Sequence, residues 1–381
     1  VAARALDYTI GVLKNCPCLP ARAFKKGIAV IIIAIDPLRN ENPFTARFSQ
    51  AVASLGKSVV ELRYRPRLLT RLDAVIVHWP RNFKLDPTNP LATLKAILLL
   101  VCHAIFGFKL IWVAHNSEEH SHKSDLLQKI FFKRLDGVIF MSNYSRALIL
   151  ASNRLSANCQ GLVTSHGEYA SETPPKPYSH NGDRVRLMNF GLVRRYKHLE
   201  DLISAAITLG SEAATINGDK HVEVSITGRS LDTDYAHELE ELADRQAGIA
   251  LQFDGARISD RDLDAAIDAS HGVVLPYGKL LNSGVAIHAL CRNKPILAPN
   301  TGSIPELRRT IGVEWVRTFD PPLDAGDLRE FAEHVCTINS SNPDLSSLSW
   351  NEIEMDIDRF LQTLTVPSVS GRRESASQPS A

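Results

Sequence analysis

A segment able to cross a bilayer is missing from this sequence. The most apolar run, LATLKAILLLVCHAIFGF at 91–108, carries Lys95 and His103, and its uncharged part is shorter than the ~20 residues a spanning helix needs. A buried helix suits it better than one skimming a membrane. Cysteine is scarce: six in 381 residues, at positions 16, 18, 102, 159, 291 and 336. Scattered in this way, they argue against a disulfide framework and match a reducing compartment. Cys16-Pro17-Cys18 has no second Cys/His pair at zinc spacing, so no metal is expected there. The first 25 residues lack the uninterrupted apolar core of a signal peptide, and no secretion is expected. Net charge is nearly absent at +1, but residues 1–175 hold 22 Lys and Arg against 12 Asp and Glu, while the remainder holds 21 against 30. The basic first half is expected to meet an anionic surface or substrate.

What the chain has is alternation. IAVIIIAI (28–35), KSVVEL (57–62), AVIVHW (74–79), KLIWVAH (109–115), GVIFMS (137–142) and GLVTS (161–165) read as strands, with amphipathic or apolar helices between them. VRLMNFG (185–191), VEVSITG (222–228), ALQFDG (250–255), GVVLPY (272–277) and KPILAP (294–299) repeat the pattern. Continuously apolar strands separated by helices mean parallel sheets covered on both faces, and two such blocks mean two Rossmann-like domains. The expected organisation is an N-terminal domain at 1–169, a Pro- and Ser-rich linker at 170–184, a C-terminal domain at 185–348, a last helix at 349–364 and a disordered tail at 365–381.

In open parallel sheets ligands bind beyond the carboxyl ends of strands, and that is where the chemistry-bearing residues cluster. In NFGLVRRYKHLEDL (189–202), Arg194, Arg195 and Lys197 crowd one strand-to-helix junction, where a helix N-terminus already disfavours cations unless an anion sits there. Gly228 and Arg229 follow the next strand, and Asn282-Ser283-Gly284 opens a helix after VVLPYGKLL. Ser283 or Asn282 can cap that helix, while Gly284 lets a phosphate approach its N–H groups. Together these predict a diphosphate site. Tyr277 and Glu306 lie at the same strand ends, Glu306 either on a ribose hydroxyl or capping its own helix. In the first domain His78 and His115 end two strands and are expected to line a cleft, with Asn42, Asn116 and Glu118 in the loops beside them. The run from His115 to His122 does not fit a two-His metal motif, so no metal is expected.

In this order NPFTARF, VIVHWP, WVAHN, NFGLVRRYKHLEDLI, ITGRS and PYGKLLNSGVAIHALCRNKPILAPNTGSIPEL resemble bacterial glycosyltransferases of the GT-B fold, in particular GT4-like enzymes of exopolysaccharide and glycolipid synthesis. The resemblance covers roughly residues 28–340. It implies two Rossmann-like domains facing a cleft, a nucleoside-diphosphate sugar held mainly by the second, and no cofactor or metal. Carried over by position, Arg194 and Lys197 neutralise the leaving diphosphate, Asn282, Ser283 and Gly284 cradle it, and Gly228, Arg229, Tyr277 and Glu306 meet the nucleoside or sugar. His115 lines the sugar site, and Asn42 and Asn116 face the acceptor. Two positions depart from the pattern. Leu280 and His288 stand where retaining GT4 enzymes carry paired glutamates, and His198 replaces a glycine after the loop lysine. The first departure resembles the inverting or divergent enzymes with a Ser-Gly helix start; an inverting enzyme needs a base, for which His115 is the candidate, with His78 or Glu118 in reserve.

The resulting expectation is a metal-independent hexosyltransferase using GDP-mannose or a UDP-hexose. Its acceptor would be a glycan or polyprenyl-diphosphate-linked saccharide, its place the cytoplasm with peripheral contact at the inner face of the cell membrane, and nucleic acid no partner. Arg63, Arg65, Arg67 and Arg71 supply the cationic patch for that contact. The alternatives are a non-catalytic nucleotide-binding subunit of a glycosyltransferase complex and a sugar-nucleotide epimerase of the same fold.

Overall fold

A computed structural model describes residues 30–38, 42–80, 83, 88–115, 126–169, 171, 173–180, 182–211, 216, 220–256, 258–278 and 280–365. Asn116, Glu118 and the tail therefore lie outside the described residues. The chain forms two compact units.

The first unit comprises residues up to 140, then 149–164, and the chain from 351 onward. Its strands are β1 (Ile32–Asp36), β2 (Ser58–Glu61), β3 (Ala74–Val77), β4 (Lys109–Ala114), β5 (Gly137–Phe140) and β6 (Gln160–Val163). They form one parallel sheet in the order β2-β1-β3-β4-β5-β6. The helices Pro90–Phe106 and Leu126–Arg134 bury Leu99, Leu100, Phe131 and Phe132 in the core cluster that contains Val75, Leu110, Trp112 and Val138. No described helix is long and apolar enough to cross a membrane. The last helix, Trp350–Thr365, buries Ile353, Ile357, Phe360, Leu361 and Leu364, one stripe at helical spacing. A Cβ placed on Gly137 in β5 would lie 2.8 Å from the Phe360 ring and 2.9 Å from Leu364, so that stripe closes directly on the sheet. Lys57 fastens the helix from outside through Asp358 at 2.7 Å.

The second unit comprises 165–350 together with 141–148. Its strands are β7 (Arg184–Val193), β8 (His221–Ser230), β9 (Ile249–Asp254), β10 (Gly272–Val274), β11 (Ile296–Pro299) and β12 (Val316–Phe319). They form a second parallel sheet, in the order β12-β11-β10-β7-β8-β9. Successive strand residues point to opposite faces, so Val274 and Leu297 join one core cluster and Val273 and Ile296 another. Helices Leu199–Ser211, Thr233–Ala243 and Ala325–Val335 cover the first face; Asp260–Ala269, Gly284–Cys291 and Ile304–Ile311 cover the second.

The segment read as a linker is packed where it is described. Tyr178 is buried and donates its hydroxyl to the Val335 carbonyl at 2.7 Å. Fully buried Arg292 donates to the Thr173 carbonyl at 2.6 Å and makes a two-pronged pair with Asp268. β12 is not among the strands expected from the sequence; it is an edge strand that buries only Val316 and Phe319.

Candidate functional site

Strand order locates the site in the second unit. The chain runs β7 to β8 to β9 in one direction, then returns to β10 on the other side of β7. The carboxyl ends of β7 and β10 therefore flank a topological switch point, where a doubly wound sheet opens a crevice.

Residues Arg195–Lys197 form one 3₁₀ turn immediately after β7, and the turn separates the three cations. Arg195 points outward onto Glu238 through two 2.7 Å hydrogen bonds and lies 4.9 Å from the Tyr235 ring centre. It is structural. Lys197 points inward. Its side chain is 4 % exposed and forms no hydrogen bond or ion pair among the described residues, and its Nζ lies 5.2 Å from the centre of the Tyr277 ring. Burial alone pushes its pKa down to about 8. Arg194 likewise makes no ion pair among the described residues. A Cβ on Gly191 would sit 3.5 Å from Lys197 Nζ and 3.6 Å from Val285 Cγ2, so the ammonium lies near the first turn of the helix Gly284–Cys291.

Of the two capping candidates, Ser283 caps that helix, accepting from the Ala286 N–H at 3.2 Å. The Gly284 and Val285 N–H groups have no intrahelical partner and lie at the positive end of the helix dipole. Asn282 instead accepts from the Ser142 hydroxyl at 3.2 Å. Buried Lys197 and a capped helix N-terminus thus lie together at the switch point, and Arg194 follows the same strand end. That is the chemistry of an anion site.

The other expected donor residues are placed as follows. Tyr277 is the buried floor under Lys197. Gly228 is required by sheet packing, because a Cβ there would overlap the Gly191 carbonyl oxygen. Arg229 donates from Nε to the Gly255 carbonyl at 3.0 Å. Glu306 does not cap its own helix. Its carboxylate accepts from the main-chain N–H groups of Asn143 at 2.9 Å and Tyr144 at 2.6 Å. His198 holds a left-handed conformation, φ 51°, which explains the glycine of the resembling family at this position. His288 pairs with Asp264 at 2.8 Å.

In the first unit His78 and His115 follow β3 and β4, and their rings share a 2.9 Å hydrogen bond between His78 Nδ1 and His115 Nε2. His115 stacks on Trp79, centroids 4.8 Å apart, and meets Phe44 edge-on. His78 does not line an opening: it is fully buried behind His115, against Phe44 and Phe48, and burial pushes its pKa down to about 3. Asn42 caps the helix Pro43–Ser54 through the Phe44 N–H at 2.9 Å. Among the described residues no group of three or more His, Cys, Asp or Glu side chains is placed to hold a metal ion.

No protein-family model matches the chain. A GDP-mannose:glycolipid 4-beta-D-mannosyltransferase from Xanthomonas campestris pv. campestris is 25% identical over 347 residues, covering 88% of this chain and 93% of that protein. Among solved structures, a sucrose-phosphate synthase from Thermosynechococcus elongatus superposes with a TM-score of 0.61 at 14% identity, covering 88% of this chain and 99% of the other. A lipopolysaccharide outer core galactosyltransferase in its apo form gives 0.53 at 12% identity, covering 88% and 96%. The structural likenesses carry the fold, and the sequence relative agrees with the motifs. The chain has the GT-B fold of glycosyltransferases and is similar to the GT4-like enzymes.

Proposed function

We propose that this chain transfers a hexosyl group from a nucleoside-diphosphate sugar to a lipid-linked saccharide in polysaccharide or glycolipid synthesis. GDP-mannose is the first candidate donor, from the name of the Xanthomonas relative, and a UDP-hexose the second. The observation that carries the reading is Lys197, a buried ammonium with no carboxylate partner among the described residues, beside the N-terminus of Gly284–Cys291. An uncompensated buried cation is costly, and an anionic ligand compensates it.

In the proposed reaction the acceptor hydroxyl oxygen attacks the anomeric carbon as the bond from that carbon to the diphosphate oxygen breaks. The electron pair leaves with the nucleoside diphosphate. Arg194, Lys197 and the helix N-terminus stabilise its growing negative charge in place of a metal ion. His115 takes the acceptor proton, and the configuration inverts. The 2.9 Å hydrogen bond between His115 Nε2 and His78 Nδ1 holds the His115 ring in place for that role.

The first unit offers a surface for the lipid. On the helix Pro90–Phe106, Leu91 and Leu94 are each 60 % exposed and Leu98 37 %, at spacings of three and four on one face. Exposed Arg63, Arg65, Arg67 and Arg71 lie on the segment whose Tyr64 and Leu68 pack on the same core as this helix. Apolar and cationic side chains so paired suit an anionic bilayer surface.

Calorimetry with GDP, UDP and ADP, on the protein and on its Arg194→Ala/Lys197→Ala variant, tests the reading. Micromolar preference for one nucleotide, lost in the variant, is the expected result. Absence of binding to all three would sink it. Binding without release of nucleotide from any sugar donor would favour a non-catalytic subunit.

A further inference from the structure

We propose that Tyr169 is a further donor-binding residue, whose hydroxyl hydrogen-bonds the diphosphate at the N-terminus of Gly284–Cys291, and that His288 with Asp264 positions it. The proposal rests on the diphosphate site argued above.

Three aromatic rings form a stack beside that helix. Tyr169 lies between His166, at 5.6 Å and 28°, and His288, at 5.2 Å and 20°. His288 is held from behind by Asp264 Oδ1 at 2.8 Å from Nε2. Asp264 is held in turn by the Ser171 hydroxyl, and Arg292 approaches it to 3.6 Å. The main chain of Tyr169 is fixed separately, its N–H donating to Cys291 Sγ at 3.4 Å. Ring and backbone are thus both immobilised.

The hydroxyl alone is left over. It forms no hydrogen bond among the described residues. It lies against the first residue of the helix, where a Cβ on residue 284 would collide with it. Gly284 therefore serves two purposes: it admits the Tyr169 hydroxyl as well as a ligand. Burial raises the phenol pKa, so the group is a proton donor throughout the physiological range. A rigid O–H beside two unused helix N–H groups and a buried ammonium adds to a preorganised anion cradle. The second, independent sign of a ligand there is Lys197, 4 % exposed and aimed at the same turn. The stack also gives His288 a task. At a position where the resembling retaining enzymes carry a glutamate, it holds the donor that Tyr169 supplies.

The test is calorimetric binding of GDP and of inorganic pyrophosphate to the full chain and to Tyr169→Phe, which keeps the ring in the stack and removes only the hydroxyl. Loss of one hydrogen bond to a charged ligand is expected to weaken both ligands about tenfold or more, with the melting temperature unchanged. His288→Ala is expected to weaken binding when Tyr169 is present and to add nothing in the Tyr169→Phe background, a coupling that general destabilisation would not produce. Wild-type affinity in Tyr169→Phe would overturn the proposal while leaving the diphosphate site standing. Additive losses in the double variant would overturn the role of His288. Failure of the unaltered chain to bind either ligand would overturn the diphosphate reading and this inference with it.

Discussion

His78 and His115 share one proton across 2.9 Å, and His78 is wholly buried while doing so. A His held at about 3 in the folded chain and near 6.5 in the unfolded one binds more protons when unfolded throughout that interval. Its contribution to stability is present above pH 6.5 and is lost as pH falls towards 3, at up to about 1.4 kcal/mol per pH unit. Urea midpoints at pH 7, 6, 5 and 4 should fall progressively, and less steeply in His78→Asn. Equal slopes in the two proteins would place the acid sensitivity elsewhere. In transfer assays at pH 7, His115→Gln should lose on the order of a hundredfold or more in kcat with nucleotide binding retained.

Arg195 is the control for its two neighbours. Its guanidinium is spent on Glu238, so Arg195→Ala should leave GDP affinity within about twofold, whereas Lys197→Ala should weaken it about tenfold or more. Equal effects in the two single variants, read by calorimetry, would mean that the turn presents all three cations to the ligand.

Lys197 also sets a pH dependence. In the free protein it deprotonates at about 8, so nucleoside-diphosphate affinity should decline as pH rises through 8. Binding above that pH should draw a proton from solution, because the anion favours the ammonium. The uptake shows as a dependence of the calorimetric enthalpy on buffer, and Lys197→Met should abolish it. A flat affinity from pH 7 to 9.5 would place the ammonium outside the anion's reach.

Flotation with vesicles tests the leucine face. Vesicles rich in phosphatidylglycerol should carry the protein and neutral phosphatidylcholine vesicles should carry much less. Leu91→Glu/Leu94→Glu should remove most of the bound fraction while leaving GDP affinity unchanged, since both leucines are already in solvent. Retention of binding by that variant would leave arginine charge as the whole attraction.

The buried strands were legible because a parallel sheet covered on both faces writes each central strand as an unbroken apolar run, as in Ala74–Val77 and Gly137–Phe140. β12 was not, because an edge strand with partly exposed Arg317 and Thr318 carries half the signal. The three cations after β7 were plain in the sequence, but their division was not. Arg195 is withdrawn by Glu238, 43 positions away, and nothing local announces that pairing. Tyr169 is hidden in the sequence for the same reason. It sits in a polar stretch without periodicity, and its partners Asp264, Gly284 and His288 come together only through the turn of the sheet. The main-chain partners of Glu306 were equally hidden, since the N–H groups it accepts from belong to a segment more than 160 residues earlier.

The helix that closes the first sheet is the last described piece of the chain to be made. Between β6 and the stripe from Ile353 to Leu364 a ribosome must synthesise the whole of 165–350, which at roughly 5–20 residues per second takes on the order of ten to forty seconds. For that time the seat of Phe360 and Leu364 against Gly137 stands bare. A nascent chain of this kind offers chaperones an exposed apolar groove for as long as its own C-terminus is unborn, and a premature stop in the second unit spoils the first.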